Sequence, residues 1–117
     1  MISKASTNDN RTRFSAVLTN TQKPLPENLT RSDNLAFCAV GDIVHIEYNG
    51  PAMRYFVYST SGKEIGELGV PAFDALIEKR ISKTNGIITA LDKQKNGTIK
   101  VRISVNCVSK KSGDVKT

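Results

Sequence analysis

Short stretches of single-residue alternation between apolar and polar positions recur along this chain of 117 residues, and they predict a mainly β protein. Arg13-Phe14-Ser15-Ala16-Val17-Leu18 reads as a first strand. In Ile43-Val44-His45-Ile46-Glu47-Tyr48, one face takes Val44, Ile46 and Tyr48, and the other takes Ile43, His45 and Glu47. Met53 to Tyr58 is rich in aromatic and β-branched residues, a strand signal. Its alternation sets Arg54, Phe56 and Tyr58 on one side and Tyr55 and Val57 on the other. Glu64 to Leu68 continues as a short strand, with Gly66 allowing another backbone or a ligand to come close. Gly86 to Asp92 and Thr98 to Val108 form a hairpin around Lys95-Asn96-Gly97, for which a type I′ turn is expected. In its second arm Ile99, Val101, Ile103 and Val105 face the core, while Lys100 and Arg102 face solvent.

Between these stretches the period changes or vanishes. Thr19 to Asn34 carries Pro24 and Pro26, which forbid a central strand or a helix interior, so a long loop is expected there. The apolar run Leu35 to Val40 predicts a short buried strand before a turn at Gly41-Asp42. Residues 70–82 predict one helix: Pro71 suits its first turn, and Phe73, Leu76, Ile77 and Ile81 make a stripe at spacings of three and four. Asn85-Gly86 is its expected stop. The sum is an α+β fold, a small antiparallel OB/SH3-like barrel of about six strands with one helix plugging an end. The expected organisation is a loose arm over 1–12, one barrel domain over 13–109 and a basic tail over 110–117.

Composition narrows the class. Apolar residues make up 38% and charged residues 24%, enough for one modest core and too apolar for a disordered chain. No run approaches the roughly 20 apolar residues of a membrane helix, and the polar start lacks a signal peptide, so a cytoplasmic protein without membrane contact is expected. Cys38 and Cys107 lie too far apart for a metal motif. They read as reduced core or edge residues, with a bridge between neighbouring strands left open. Charge is placed unevenly. Residues 1–78 hold 7 basic and 9 acidic groups, a balance of −2, whereas residues 79–117 hold 10 and 2, a balance of +8. A basic third of this kind suits an anionic partner, above all nucleic acid.

Catalytic constellations are thin. His45 is the single histidine, no ligand cluster or phosphate loop is present, and neither an enzyme nor a cofactor is expected. Binding chemistry is better supplied. Lys93, Lys95, Lys100, Arg102, Lys110 and Lys111 are candidates to meet phosphates, with Arg54, Tyr55, Phe56 and Tyr58 as a stacking strand for unpaired DNA or RNA bases. The competing reading is a protein-interaction or inhibitor module that uses a sheet edge or the 19–34 loop.

The segment from Val40 to Ala90 resembles the HIRAN domain. The pieces that carry the resemblance are Gly41-Asp42-Ile43-Val44-His45-Ile46, then Tyr55-Phe56-Val57-Tyr58 and Gly62-Lys63-Glu64-Ile65-Gly66-Glu67-Leu68, followed by Ala72-Phe73-Asp74-Ala75-Leu76 and Gly86-Ile87-Ile88-Thr89-Ala90. The family's Asn-Pro-x-Asp segment is absent, and the shorter Asn49 to Met53 stands in its place. The resemblance implies a small OB- or SH3-like barrel and a role in holding a single-stranded DNA end.

Overall fold

The structure, a computed structural model, describes residues 13–107. The expected arm over 1–12 and the tail over 110–117, with Lys110 and Lys111, lie outside the described residues. The elements follow in the order β1 (Arg13–Thr19), α1 (Arg31–Leu35), β2 (Ile43–Asn49), β3 (Arg54–Tyr58), β4 (Glu64–Leu68), α2 (Val70–Glu78), β5 (Lys83–Lys93) and β6 (Ile99–Asn106). All strand pairs are antiparallel, and the sheet closes on itself in the ring order β1-β4-β3-β2-β5-β6. This is the expected small OB/SH3-like barrel.

The period-two pattern decides which side chains fill it. Val44 and Ile46, Tyr55 and Val57, Ile65, and Val101, Ile103 and Val105 all point into one buried cluster. Two glycines let the wall close tightly. A Cβ on Gly66 would stand 3.1 Å from Leu18 Cδ1, so the neighbour admitted there is β1. A Cβ on Gly86 would stand 2.6 Å from the backbone oxygen of Ser104, closer than any side chain tolerates. Helix α2 covers the end where β4 finishes and β5 starts. It sends Leu76 and Ala72 into the core, and Phe73 meets Tyr55 edge-on at 5.7 Å between ring centres.

Four expectations need correction. There are two short helices, because Thr30 caps the five-residue α1. The Thr30 side chain accepts from Asp33 N–H at 3.2 Å, and the Asp33 carboxylate accepts from Thr30 N–H at 2.7 Å, a reciprocal capping box. Leu35 to Val40 is therefore no strand. Leu35 ends α1 in the core, whereas Phe37 and Val40 stand in solvent on the connection to β2. The helix over 70–82 stops at Glu78, because Arg80 turns left-handed at φ 56. Arg80 N–H then donates to Ile77 O and Ile81 N–H to Leu76 O, a Schellman arrangement that leaves Asn85 and Gly86 to β5. The hairpin loop is also not type I′: Gly97 alone takes positive φ there, at 90, and its N–H donates to Gln94 O. That is the three-residue loop with glycine in the left-handed position.

Candidate nucleic-acid interface

Closure sets the expected site residues on two opposite walls. In a ring of six, β3 and β6 are three places apart, so the aromatic strand and the basic strand face away from each other. Tyr55 points inward, is 1% exposed and donates its hydroxyl to Ile81 O, so it cannot reach a base. Burial pushes its phenol pKa up, and the neighbouring Tyr48 and Cys107 add to the shift. Phe56 does point outward but is only 8% exposed, because the Lys23 ammonium and the Arg31 guanidinium lie 5.6 and 4.9 Å from its ring centre. Its cross-strand neighbours are Glu47 on β2 and Glu67 on β4, and Tyr58 lies opposite Glu64. Burial, Glu64 and Glu47 all push the Tyr58 pKa up, against Arg31. The outer face of β3 thus sets Glu47, Glu64 and Glu67 against Lys23, Arg31 and Arg54, which leaves no surplus of cations to draw phosphate. Arg54, exposed at the start of β3, sits 3.6 Å from Glu67.

Beside this wall the connection between β1 and β2 is pinned. Arg31, 0% exposed, donates through Nε to Glu64 Oε2 at 2.7 Å. Its Nη1 donates to Glu67 Oε2 at 2.8 Å and to Asn20 O at 3.0 Å. Its Nη2 stands 2.6 Å from Glu64 Oε2 without a hydrogen-bond direction towards it. Asn20 completes the cluster with a 2.9 Å bond to Glu67 Oε1. Burial would raise the Glu67 pKa, but the bonds from Asn20 and Arg31 and the charges of Arg31 and Lys23 prevail and hold it below the ordinary value. The expected long loop over 19–34 is therefore strapped to the barrel and ends in helix α1. Its tip is a turn at Leu25 to Asn28, and Arg31 N–H donates to Lys23 O.

The basic residues are grouped otherwise than expected. β5 pairs with β2 only as far as Ile43↔Ile87, and β6 pairs with β1 only as far as Val17↔Arg102. Beyond those points Ala90 to Lys93 and Ile99 to Val101 pair with each other, so the hairpin continues as a two-stranded ribbon. A bulge between Ile88 and Ala90 bends it. Its inner side chains Leu91, Ile99 and Val101 join the core, which turns Lys100 and Arg102 outward. Lys93, Lys95, Lys100 and Arg102 are exposed, and none has an ion pair among the described residues, where the ion pairs converge on Glu64 and Glu67. The single acid in the ribbon, Asp92, lies opposite Lys100.

The strand directions place this ribbon at the barrel end that also carries the β3–β4 turn and the connection from α1 to β2. That connection is tied to the root of the ribbon: Gly41 N–H donates to Ile88 O at 2.8 Å, and Ile88 N–H donates to Asp42 O at 2.9 Å. Phe37 stands on it, 89% exposed. The cleft beside it, about 560 Å³, is mostly apolar and is lined by Leu29, Asn34, Phe37, Cys38, Asp42 and Lys63 among others. A second apolar groove of about 650 Å³ runs between β1 and α2 at the opposite end, and no charged side chain lines it. Among the described residues no three His, Cys, Asp or Glu side chains are grouped to hold a metal ion, and no helix is long and apolar enough to cross a membrane. Cys38, half-buried beyond α1, and Cys107, buried after β6, are both free thiols, so they form no bridge. Burial raises both thiol pKa values, helped by Asp42 at Cys38 and opposed by Lys79 at Cys107.

Sequence reasoning missed Phe37 and Lys63. A signal for the first was present: Thr30-x-x-Asp33 marks a helix start, which moves Phe37 past the end of α1 and off any strand. Comparison with protein-family models, curated proteins and solved structures finds no match for this chain.

Proposed function

We propose that this protein is a non-enzymatic binding module for single-stranded nucleic acid, in which the β5–β6 ribbon receives the phosphate backbone. The observation that carries the reading is the ribbon itself. It projects past the barrel wall with Lys93, Lys95, Lys100 and Arg102 exposed and unpaired among the described residues, against the one acid Asp92. Cations left without carboxylate partners are available to displace the counterions of a polyanion. The overall charge of +6 favours the encounter. In this reading Lys110 and Lys111 extend the same basic stretch of sequence. The β3 wall, where Glu47, Glu64 and Glu67 offset the nearby cations, has no part in it.

The competing protein-interaction reading keeps the edge of β1, which meets β4 only at Leu18↔Leu68 and Thr19↔Glu67 and otherwise borders the groove against α2. The test is the salt dependence of affinity for a single-stranded oligonucleotide. Lys100→Glu with Arg102→Glu is expected to weaken binding and to flatten the log–log slope by about 0.7 for each phosphate that is no longer neutralised. A slope identical to that of the unaltered protein removes the ribbon from the interface.

A further inference from the structure

We infer that the cleft beside Phe37 is a subsite for one unpaired nucleobase, which stacks on the Phe37 ring while its backbone passes onto the ribbon. The inference rests on the nucleic-acid reading above and adds to it the place where bases are held. The chain has four Phe and three Tyr, all within the described residues, and only Phe37 is exposed. The other six contribute to the core or rest half-buried against neighbours. A ring left in water forgoes the gain that apolar burial provides. Leu29, which lines the same cleft, is exposed as well.

The backbone that bears the ring is held in place before any ligand arrives. Phe37 N–H donates to Asn34 O at 3.2 Å and Cys38 N–H to Leu35 O at 3.0 Å. Asn34 Nδ2 fastens α1 to Glu64 O at 2.9 Å. On the far side Ala39 N–H donates to Asp42 Oδ2 at 2.9 Å, just before the connection docks on Ile88. A platform anchored on both sides loses little freedom on binding.

The ribbon supplies the charge. Within the cleft Lys63 is offset by Asp42, whose Oδ2 accepts from Ala39 N–H, and the connection that bears Phe37 is bonded to the strand that becomes the basic ribbon. An apolar slot on a segment tied to a strand with unpaired cations matches a base attached to a phosphate chain. The groove between β1 and α2 has the apolar surface without the charge. A duplex keeps its bases stacked inside, so the subsite favours single strands, and because every base has a π-face it tolerates many sequences.

The protein contains no tryptophan, so Phe37→Trp installs a sole reporter on the platform. The probes are end-labelled single-stranded oligonucleotides, DNA and RNA, of mixed sequence, and an abasic strand of equal length; label anisotropy follows binding independently. The base-bearing strands are expected to quench the introduced indole, and the abasic strand to bind without quenching it. Phe37→Ala is expected to lower affinity for base-bearing strands by roughly tenfold or more. It should leave affinity for the abasic strand, and the salt slope, unchanged. Full-affinity binding to Phe37→Ala together with an unquenched indole overturns the subsite while the ribbon reading stands. Failure of all strands to bind the unaltered protein overturns both.

Discussion

Arg31 shows how one residue organises the segment that leads to the site. A fully buried guanidinium is tolerable only because Glu64, Glu67, the Asn20 carbonyl and the Phe56 ring surround it. Arg31→Met would strand Glu67, itself 5% exposed, beside an apolar side chain. The expected cost is roughly 3–5 kcal/mol in urea unfolding, because one buried charge loses its partner. The acid response should also weaken. The Glu67 pKa is lowered in the folded protein, so its stabilisation is present above the ordinary glutamate value and is lost as pH falls through the folded one. Without Arg31 its bond and its charge no longer lower that pKa, while Asn20 and Lys23 still do, so acidification through the same range should cost the variant less. Unfolding curves across the acid range read both effects. None of this was visible in the sequence, where Arg31 is one cation among 17 Lys and Arg in a proline-containing stretch.

The elements divide into those with a local cause and those without one. The strands were legible because alternation needs only near neighbours and the rule that successive side chains take opposite faces. The end of α2 was not. Arg80 occupies a left-handed position that usually belongs to glycine, and it does so because Ile81 must return to the core. Arg80→Gly removes that conformational cost and should raise stability by up to about 1 kcal/mol, part of the gain being offset by the greater freedom of glycine in the unfolded chain. A midpoint lower than that of the unaltered protein in thermal or urea unfolding would show that the arginine side chain itself stabilises this turn. Helix α1 does have a local cause, because its Thr30–Asp33 box is written in the sequence. That one box decides whether Phe37 is a strand residue or an exposed ring.

At the scale of the whole molecule, barrel closure separates what the chain keeps together and joins what it keeps apart. It sends the aromatic strand β3 and the basic strand β6 to opposite walls, and it brings Phe37, Lys63 and the ribbon to one end. Closure depends on close approach between β5 and β6, where Gly86 lies under the Ser104 carbonyl. Gly86→Ala puts a methyl group against backbone that cannot swing aside, with an expected loss of about 1–3 kcal/mol. Amide exchange in β5 and β6 should quicken first, and unchanged protection there would show that the wall can shift at no cost.

The sequence by itself determined the class of the fold, the inward and outward faces of its strands, and the excess of cations in the last third of the chain. Each of these depends on residue identity and spacing over a few positions. The tertiary structure alone decided that the β3 aromatics are buried or hemmed in by charged side chains, that Arg31 is the buried pin of the first connection, and that Phe37 remains in solvent. Those outcomes depend on which strands become neighbours when the sheet closes, and pairing between residues distant in sequence leaves no periodic mark along the chain.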